Sequence, residues 1–327
     1  MMPAGNNRQA VWPGGRALLA GLSVLLLQGC TTTQLHSYPP VATSAVEYPA
    51  AAQDPVVKVM TLNLAHGRGD SFHQLLLDDA ETLGNLHEIS GLLRSERPDV
   101  VALQEADAPS FWSGDLDHIA YLADTGQYNQ HVHGRHADGV GVAYGTALLS
   151  TLELEAAEAI TFDPAYSLTP KGFVVSTINW PSAPGIEVDV VSVHLAFSSE
   201  SARRKQATEL ITVLRQRNRP VIIMGDLNSD WQDGQSSVRY LSEALGLEVY
   251  LPGQPGLETF PVMNRRLDWI LASGDFEFRS YRRLPDVVSD HRAVVAELVL
   301  KAAYKPDPAS DPGRSAAASL LPKPNKI

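Results

Sequence analysis

The sequence predicts an α/β domain in which β-sheets pack against each other and helices cover their outer faces. The prediction comes from two strand–helix–strand patterns that alternate with β-rich segments along the chain. The composition agrees, because 44% hydrophobic and 19% charged residues are typical of a globular protein. The 327 residues can build a large core, and a single cysteine excludes an internal disulfide.

The first half of the domain begins with a strand and a long helix. Residues 56–62 form a strand-like run, and over 73–94 apolar residues recur every three or four positions, which predicts an amphipathic helix. Pro98 marks the end of that helix. Residues 100–103 then predict a buried strand.

The second half combines β-rich runs, broken by Gly and Pro, with one helix. We expect that helix over 201–216 and a buried strand over 221–224. No internal linker or repeat is evident, so we expect one domain over 55–301. The other predicted strands are 140–149, 172–180, 186–195, 267–271 and 291–300.

Polar side chains fall at six strand ends. A single acid at such a position is typical of a turn cap. Six ends with acids, amides and histidines are not explained by capping, but they suit a hard divalent cation with acid–base chemistry. The residues are Asn63, Glu105, His194, Asp226 with Asn228, Asp268, and Asp290 with His291.

Six short motifs around these residues resemble, in order, those of the endonuclease/exonuclease/phosphatase (DNase I-like) superfamily. They are VMTLN (59–63), ALQE (102–105), SVHL (192–195), MGDLN (224–228), RLDWI (266–270) and SDH (289–291). The resemblance covers about 56–300. It implies a four-layer α/β sandwich, with two packed mixed sheets flanked by helices, and metal-dependent phosphoester hydrolysis at one end of the sheets.

The resemblance also implies a metal site for Mg²⁺ or Mn²⁺. Glu105 would be the principal ligand, with Asn63 beside it and Asp290 close by or bridging through water. Carboxylate and amide oxygens are the ligands that these cations prefer.

The catalytic residues implied by the resemblance are two histidines, two aspartates and an asparagine. His291 would be the general base or would polarise the phosphate, held by Asp268. Asp226 would orient or activate the attacking water, and Asn228 would donate to a non-bridging phosphate oxygen. His194 would act on the phosphoryl oxygens or as acid to the leaving group.

Two further residues are candidates for substrate binding. His66 follows the first motif closely enough to reach the substrate, and Lys171 precedes a predicted strand at a position where relatives often carry a basic residue. The histidines at 131, 133 and 136 lie in a Gly-rich stretch with no acid beside them, so we do not expect a transition-metal site there.

The N-terminal region has the pattern of a targeting segment. Residues 1–29 carry two arginines and a short apolar run, 17–27, as in a signal peptide, and the run is too short for a bilayer of ~30 Å. Residues 27–30, LQGC, resemble the lipobox of bacterial lipoproteins, in which Cys30 is acylated. Thr31 then favours the outer membrane. We expect a flexible tether over 30–54 and a disordered tail over 302–327.

The expected function is therefore a Mg-dependent phosphoesterase, monomeric and lipid-anchored to a bacterial outer membrane, facing either the periplasm or the surface. Because 26 Lys and Arg oppose 37 Asp and Glu, a lipid or small-molecule phosphoester is preferred over nucleic acid, although no long apolar insertion suited to a bilayer is evident. A secreted DNase I-like endonuclease is one alternative. A non-catalytic surface binding module is another alternative. Such a module would be expected to lack some of the eight site residues, and all eight are present.

Overall fold

The part of the chain described in this computed structural model comprises residues 35–44, 55–166 and 169–302. In chain order its strands are β1 (Leu35–Ser37), β2 (Ala42–Thr43), β3 (Val56–Asn63), β4 (Val100–Asp107), β5 (Gln130–Gly139), β6 (Val142–Ser150), β7 (Glu155–Thr161), β8 (Gly172–Asn179), β9 (Glu187–His194), β10 (Val221–Asp226), β11 (Leu247–Val249), β12 (Asp268–Ser273), β13 (Phe276–Arg283) and β14 (Val294–Leu300). Its helices are α1 (Asp79–Glu96), α2 (His118–Gly126), α3 (Glu200–Arg217) and α4 (Ser237–Leu245). The predicted signal peptide, Cys30 and the predicted tail beyond residue 302 lie outside the described residues.

The strands form two seven-stranded mixed sheets. The first has the order β1-β7-β8-β9-β10-β12-β11, and the second has the order β13-β14-β3-β4-β6-β5-β2. Within these sheets β9 and β10 are parallel, as are β3 and β4, and the other neighbours are antiparallel. Each parallel pair is joined through a helix, α3 or α1, because a parallel connection must cross the sheet.

Three apolar layers hold the sandwich together. Residues such as Val59 and Ile222 form the central core between the sheets. Met60 and Leu86 belong to the layer between the second sheet and helices α1 and α2. Leu210 belongs to the layer between the first sheet, α3 and α4. The predicted four-layer α/β sandwich is confirmed.

Side-chain alternation along the strands decides which residues face the opposite sheet. On β3, Val57 and Val59 lie in the central core. Asn63 is four residues after Val59, so it lies on the same face of the strand. On β10, Met224 lies in that core and Asp226 follows two residues later. The inner faces are therefore apolar along the strands and polar at one end.

Helix α1 begins later than the sequence pattern predicts. The predicted helix over 73–94 is a short 3-10 turn, Gln74–Leu76, followed by α1 from Asp79. Asp78 accepts a hydrogen bond from the backbone N–H of Glu81, whose side chain accepts one from the backbone N–H of Asp78. This capping box fixes the start of the helix.

Part of the predicted tether is built into the sheets. Strand β1 pairs with β7 at one edge of the first sheet, and β2 pairs with β5 at one edge of the second. Residues 35–44 therefore correct the expectation of a free tether over 30–54, because their backbone groups pair with sheet edges that would otherwise be open. No helix in the described part is long and apolar enough to cross a membrane.

Candidate active site

The predicted site residues lie at one end of the sandwich, which we call the site end. Strands β3, β4, β9 and β10 all finish there, because the carboxyl ends of parallel strands share an edge. Strand β12 runs antiparallel to β10 and begins with Asp268 opposite Asp226. The loop before β14 brings Asp290 and His291 to the same end, since β14 begins opposite Thr61 near the end of β3.

Asp226 is the centre of the cluster. Its Oδ2 accepts a hydrogen bond from Asn63 Nδ2 at 3.0 Å, and this bond joins the two sheets. The same oxygen lies 3.4 Å from His194 Nε2 and 3.9 Å from His291 Nε2. Its Oδ1 accepts from the backbone N–H of Asn228 at 2.8 Å. One buried carboxylate thus contacts four other predicted site residues.

His291 is held in place by the carboxylate behind it. Its Nδ1 lies 2.7 Å from Asp268 Oδ2, and both side chains are buried. Thr259 Oγ1 donates to the same carboxylate oxygen at 2.6 Å, and the Phe260 ring packs on the imidazole at 4.9 Å between centroids. These contacts fix the ring so that Nε2 faces Asp226.

Lys171 connects site residues of the two sheets. Its buried Nζ lies 3.3 Å from Glu105 Oε1 and 3.1 Å from both ring nitrogens of His194. Asn228 Nδ2 lies 3.2 Å from His194 Nε2 and donates to the Leu195 carbonyl at 2.9 Å. A cation and an amide therefore flank His194, where an anion could be bound.

His66 belongs to a second aspartate–histidine pair. Its Nδ1 lies 2.6 Å from Asp107 Oδ1, and its Nε2 lies 3.5 Å from Glu105 Oε2. Trp112 Nε1 donates to the other oxygen of Asp107 at 2.8 Å, and the Trp112 and Tyr144 rings pack on His66. Sequence reasoning missed Asp107 and Trp112; the available signal was a second acid two residues after Glu105 at a strand end.

The three predicted metal ligands have other partners in this structure. Glu105 contacts Lys171, and Asp290 Oδ2 accepts a hydrogen bond from Arg68 Nη2 at 2.6 Å, an arginine that sequence reasoning also missed. Asn63 Oδ1 accepts from a backbone N–H at 3.0 Å. Burial alone would raise the pKa of Glu105. The positive charge of Lys171 and the nearby histidines outweigh this effect and lower the pKa below its ordinary value, so the group is an ionised carboxylate.

A second set of candidate ligand atoms lies close by. One oxygen each of Asp226 and Asp268 and one nitrogen of His291 fall within 4.8 Å of one another. Asp268 Oδ1 is buried without a hydrogen-bond partner. This unpartnered oxygen, with the Asp226 carboxylate close by, fits a hard divalent cation, which prefers oxygen ligands.

Burial and charge separate the pKa values within the cluster. Burial and the neighbouring Asp268 raise the pKa of Asp226 to about 7. Burial lowers the pKa of His291, but the carboxylates of Asp268 and Asp226 outweigh it and raise the pKa to about 10. Burial, helped by Lys171, lowers the pKa of His194 well below its ordinary value. Of the two roles expected for His291, that of a cationic donor to phosphate fits this charge state.

Backbone strain is concentrated at the site end. Seven non-glycine residues there have a left-handed φ, from +38° to +57°: Ala65, His66, Glu105, Asp115, Asn228, Leu251 and Asn264. Glu105 lies in a β-bulge, where the pairing of β4 with β6 shifts between residues 104 and 106. The bulge interrupts the alternation on β4 and redirects the Glu105 side chain.

Two other groups singled out in the sequence have structural contacts. His136, on β5, lies between Thr146 Oγ1 at 2.8 Å and Thr161 Oγ1 at 3.1 Å. His133 Nε2 contacts the Ala106 carbonyl at 3.0 Å. Both side chains therefore have hydrogen-bonding partners within the domain.

Comparison with known proteins gives a match over most of the domain. The model of the endonuclease/exonuclease/phosphatase family matches residues 60–291. No curated protein matches the sequence. Similar solved structures include an endonuclease/exonuclease/phosphatase from Beutenbergia cavernae, with 20% identity, 75% of this chain and 72% of that chain covered, and a TM-score of 0.60.

Two further solved structures with the same fold are described as different proteins. The catalytic domain of human Nocturnin is 17% identical, with 80% of this chain and 98% of that chain covered and a TM-score of 0.58. A mannosyl-6-phosphatase from Bacteroides thetaiotaomicron is 17% identical, with 75% and 100% covered and a TM-score of 0.56. At these identities the likeness shows the fold.

The family match and the fold agree with each other. Members of the matched family are hydrolases that act on phosphoester bonds, and the matched range includes all eight predicted residues of the site cluster, from Asn63 to His291. The chain therefore belongs to the endonuclease/exonuclease/phosphatase family.

Proposed function

We propose that this chain is a Mg²⁺-dependent phosphoesterase, lipid-anchored to a bacterial outer membrane, that hydrolyses a lipid or small-molecule phosphoester. The observation that carries the proposal is the contact of the Asp226 carboxylate with Asn63, His194 and His291, the last held by Asp268 at 2.7 Å. Acids, amides and histidines in mutual contact at a buried strand end are the groups that phosphoester hydrolysis needs.

In the proposed reaction a water oxygen forms a bond to phosphorus while the ester P–O bond breaks. Asp226 accepts the proton of the attacking water, and Asn63 orients that carboxylate. The departing oxygen takes a proton from solvent. A bound Mg²⁺ supplies charge stabilisation for the phosphoryl oxygens, and Glu105, Asn63 and Asp290 would hold it.

The remaining groups of the site would bind the substrate phosphate. His291 donates from Nε2 to a phosphoryl oxygen, and Asp268 keeps the ring in that orientation. Lys171, Asn228 and His194 offer a cation, an amide and an imidazole on the other side of Asp226. Negative charge that develops in the transition state is stabilised best by such donors, because they are already in position.

Two alternative functions lead to different observations. A DNase I-like endonuclease would cleave plasmid DNA faster than small esters, although the formal net charge of −11 opposes nucleic acid binding. A non-catalytic binding module would hydrolyse nothing. Six of the eight predicted cluster residues contact one another, and this favours an enzyme over a binding module: Asn63, His194, Asp226, Asn228, Asp268 and His291.

The test is a hydrolysis panel on the full chain in Mg²⁺, with plasmid DNA, RNA, phospholipid, inositol phosphate and bis(p-nitrophenyl) phosphate. We expect turnover of an ester, loss of that turnover with EDTA, and its return with Mg²⁺ or Mn²⁺. Glu105→Gln should raise the Mg²⁺ concentration needed for half-maximal rate, because it removes a charged ligand.

Glu243→Gln is the matched control, since Glu243 is an exposed residue of α4, and it should leave the Mg²⁺ requirement unchanged. Turnover that resists EDTA would contradict the proposed metal dependence. A panel without any hydrolysis would contradict the activity itself.

A further inference from the structure

Exposed hydrophobic side chains are concentrated at the site end. Twelve large hydrophobic side chains are exposed in the described part, and all but Tyr38 and Leu83 lie in loops of the site end. Six different loops contribute at least one of them. We call the set that follows, one residue from each loop, the apolar rim: Phe72, Phe111, Val140, Phe197, Val262 and Val287.

The apolar rim is not explained by packing within the domain. Phe72 is 91% exposed and Val262 is 81% exposed, so these side chains contribute almost nothing to the core. Among the described loops away from the site end, only the loop between β1 and β2 carries an exposed large hydrophobic side chain, Tyr38. Such a one-sided distribution indicates a surface that is covered by an apolar partner.

The rim consists of separate loop tips at the end of the sandwich that also carries the polar cluster. Phe111 precedes Trp112, which packs on His66, and Phe197 follows the strand that ends at His194. A lipid bilayer suits this arrangement, because it accepts apolar tips at several points in one plane. With a formal net charge of −11, attraction to anionic lipids does not explain contact of the rim with a bilayer, which leaves apolar insertion of the loop tips to explain it.

The pairing of β1 brings the start of the described chain to the site end. Leu35 lies opposite Thr161, Thr161 opposite Gly172, and Gly172 opposite His194. With strands ~4.8 Å apart, Leu35 is therefore about 14 Å from the His194 strand at the level of the active site. Cys30 is five residues before Leu35, and five residues span at most ~18 Å.

We infer that the site end of the domain docks on a lipid bilayer through the apolar rim, and that the substrate is a phosphoester in the headgroup layer. The docking rests on the rim and on the position of Leu35. The substrate class rests additionally on the proposed function. Cys30 acylated five residues before β1 would hold the site end against the membrane, and the loop tips would bring the active site to the headgroups.

The first test measures membrane depth with single labels. Cys30 is the only cysteine, and acylation consumes its thiol, so a cysteine introduced elsewhere in the full anchored chain can be labelled alone. Phe197→Cys and Val262→Cys, each carrying an environment-sensitive fluorophore, are compared with Leu83→Cys and Tyr38→Cys in phosphatidylethanolamine–phosphatidylglycerol vesicles. We expect the two rim labels to be blue-shifted and quenched by lipid-borne quenchers, and the two control labels to stay in water.

Rim labels as water-exposed as the Leu83 label would overturn the docking. Labelling of the unmutated chain at Cys30 would overturn the contribution of the anchor. These readouts do not depend on activity, so they separate failure of the docking from failure of the proposed function.

The second test separates docking from chemistry. Phe197→Ser combined with Val262→Ser should lower turnover of a vesicle-borne phospholipid about tenfold or more and leave bis(p-nitrophenyl) phosphate hydrolysis unchanged. Leu83→Ser should change neither rate. An equal loss on both esters, or no loss on vesicles, would contradict the inference. Hydrolysis of the soluble ester with no cleavage of any vesicle lipid would overturn the substrate class alone.

Discussion

The contact between His291 and Asp268 makes a specific prediction about how their substitutions combine. His291→Ala should lower kcat by a factor on the order of 10²–10⁴, because in the proposed mechanism it removes the imidazole that donates to the phosphate. Asp268→Asn should cost less, since the ring survives in a poorer orientation. The double variant should be little worse than His291→Ala, because residues that act as a unit do not have additive effects.

The control for this double variant combines His194→Ala with Asp268→Asn. His194 contacts Asp226 and not Asp268, so these two losses should come closer to multiplying. Measured kcat values for the singles and doubles decide the matter. If Asp268 only stabilises the strand end, Asp268→Asn will lower the free energy of unfolding by about 1 kcal/mol and leave kcat unchanged.

Two histidines away from the cluster, the buried His136 and the half-buried His133, predict loss of stability in acid. Burial lowers the pKa of His136 to about 3 and that of His133 to about 4, against about 6.5 in the unfolded chain. The unfolded chain therefore binds more protons between these values, so stability is full above pH 6.5 and falls as the pH drops towards 4. Within that pH range, each of the two histidines should lower the free energy of unfolding by about 1 kcal/mol for every unit by which the pH falls.

Urea unfolding at pH 7.5 and at pH 5 measures this loss. His136→Gln should lose less stability between the two pH values than the unmutated chain does. His87→Gln on α1 is the matched control, because His87 is exposed, and it should leave the pH dependence unchanged. A pH dependence that His136→Gln does not reduce would contradict the assignment.

At the scale of residues, the sequence predicts the groups that continue a strand pattern. Asn63 and Asp226 follow apolar runs whose alternation sets their face, so their positions could be anticipated. Arg68 and Thr259 lie in loops, and the contacts of Arg68 with Asp290 and of Thr259 with Asp268 depend on how distant loops pack. No local pattern contains that information.

At the scale of elements, alternation and helical periodicity predict most of the central strands and both long helices. Helices α2 and α4 are nine residues each, too short for a clear period, and they were not predicted. Strands β7 and β13 carry several charged residues and were also missed. The bulge at Glu105 breaks the period-2 rule, and only the pairing of β4 with β6 reveals it.

The end of strand β10 requires Gly225 of the GDLN motif, and this predicts a large effect of a small substitution. Gly225 has φ +152°, and a Cβ there would overlap the Val193 carbonyl oxygen on β9. Gly225→Ala should therefore destabilise the chain by about 1–3 kcal/mol and displace Asp226, which follows directly. Urea unfolding and kcat should both fall.

Gly84→Ala is the matched control for this substitution. Gly84 lies within α1, and a Cβ there meets nothing within 4 Å. The change should stabilise the chain by about 0.5–1 kcal/mol, because alanine is the better helix former. Equal stability of the Gly225→Ala and Gly84→Ala chains would contradict the proposed steric requirement.

At the scale of the whole molecule, the site exists only where the two sheets meet. The second sheet and its loops supply Asn63, Glu105 and Asp290, and the first supplies His194, Asp226 and Asp268. Side-chain hydrogen bonds that cross between the sheets near this end include Asn63 to Asp226 at 3.0 Å and Gln104 to Ser192 at 3.0 Å. The packing of the sandwich and the geometry of the cluster are therefore coupled.

The proposed lipid anchor at Cys30 gives the last prediction, since it concerns where the whole molecule would act. Cys30→Ser should abolish incorporation of labelled fatty acid and release the protein from membranes, because acylation supplies the apolar chains that hold it there. Thr31→Asp keeps the acylated cysteine and should change only the membrane to which the protein is delivered. Fatty acid that still enters the Cys30→Ser chain would contradict the lipobox prediction. Release of an acylated Thr31→Asp chain into the soluble fraction would contradict the anchoring itself.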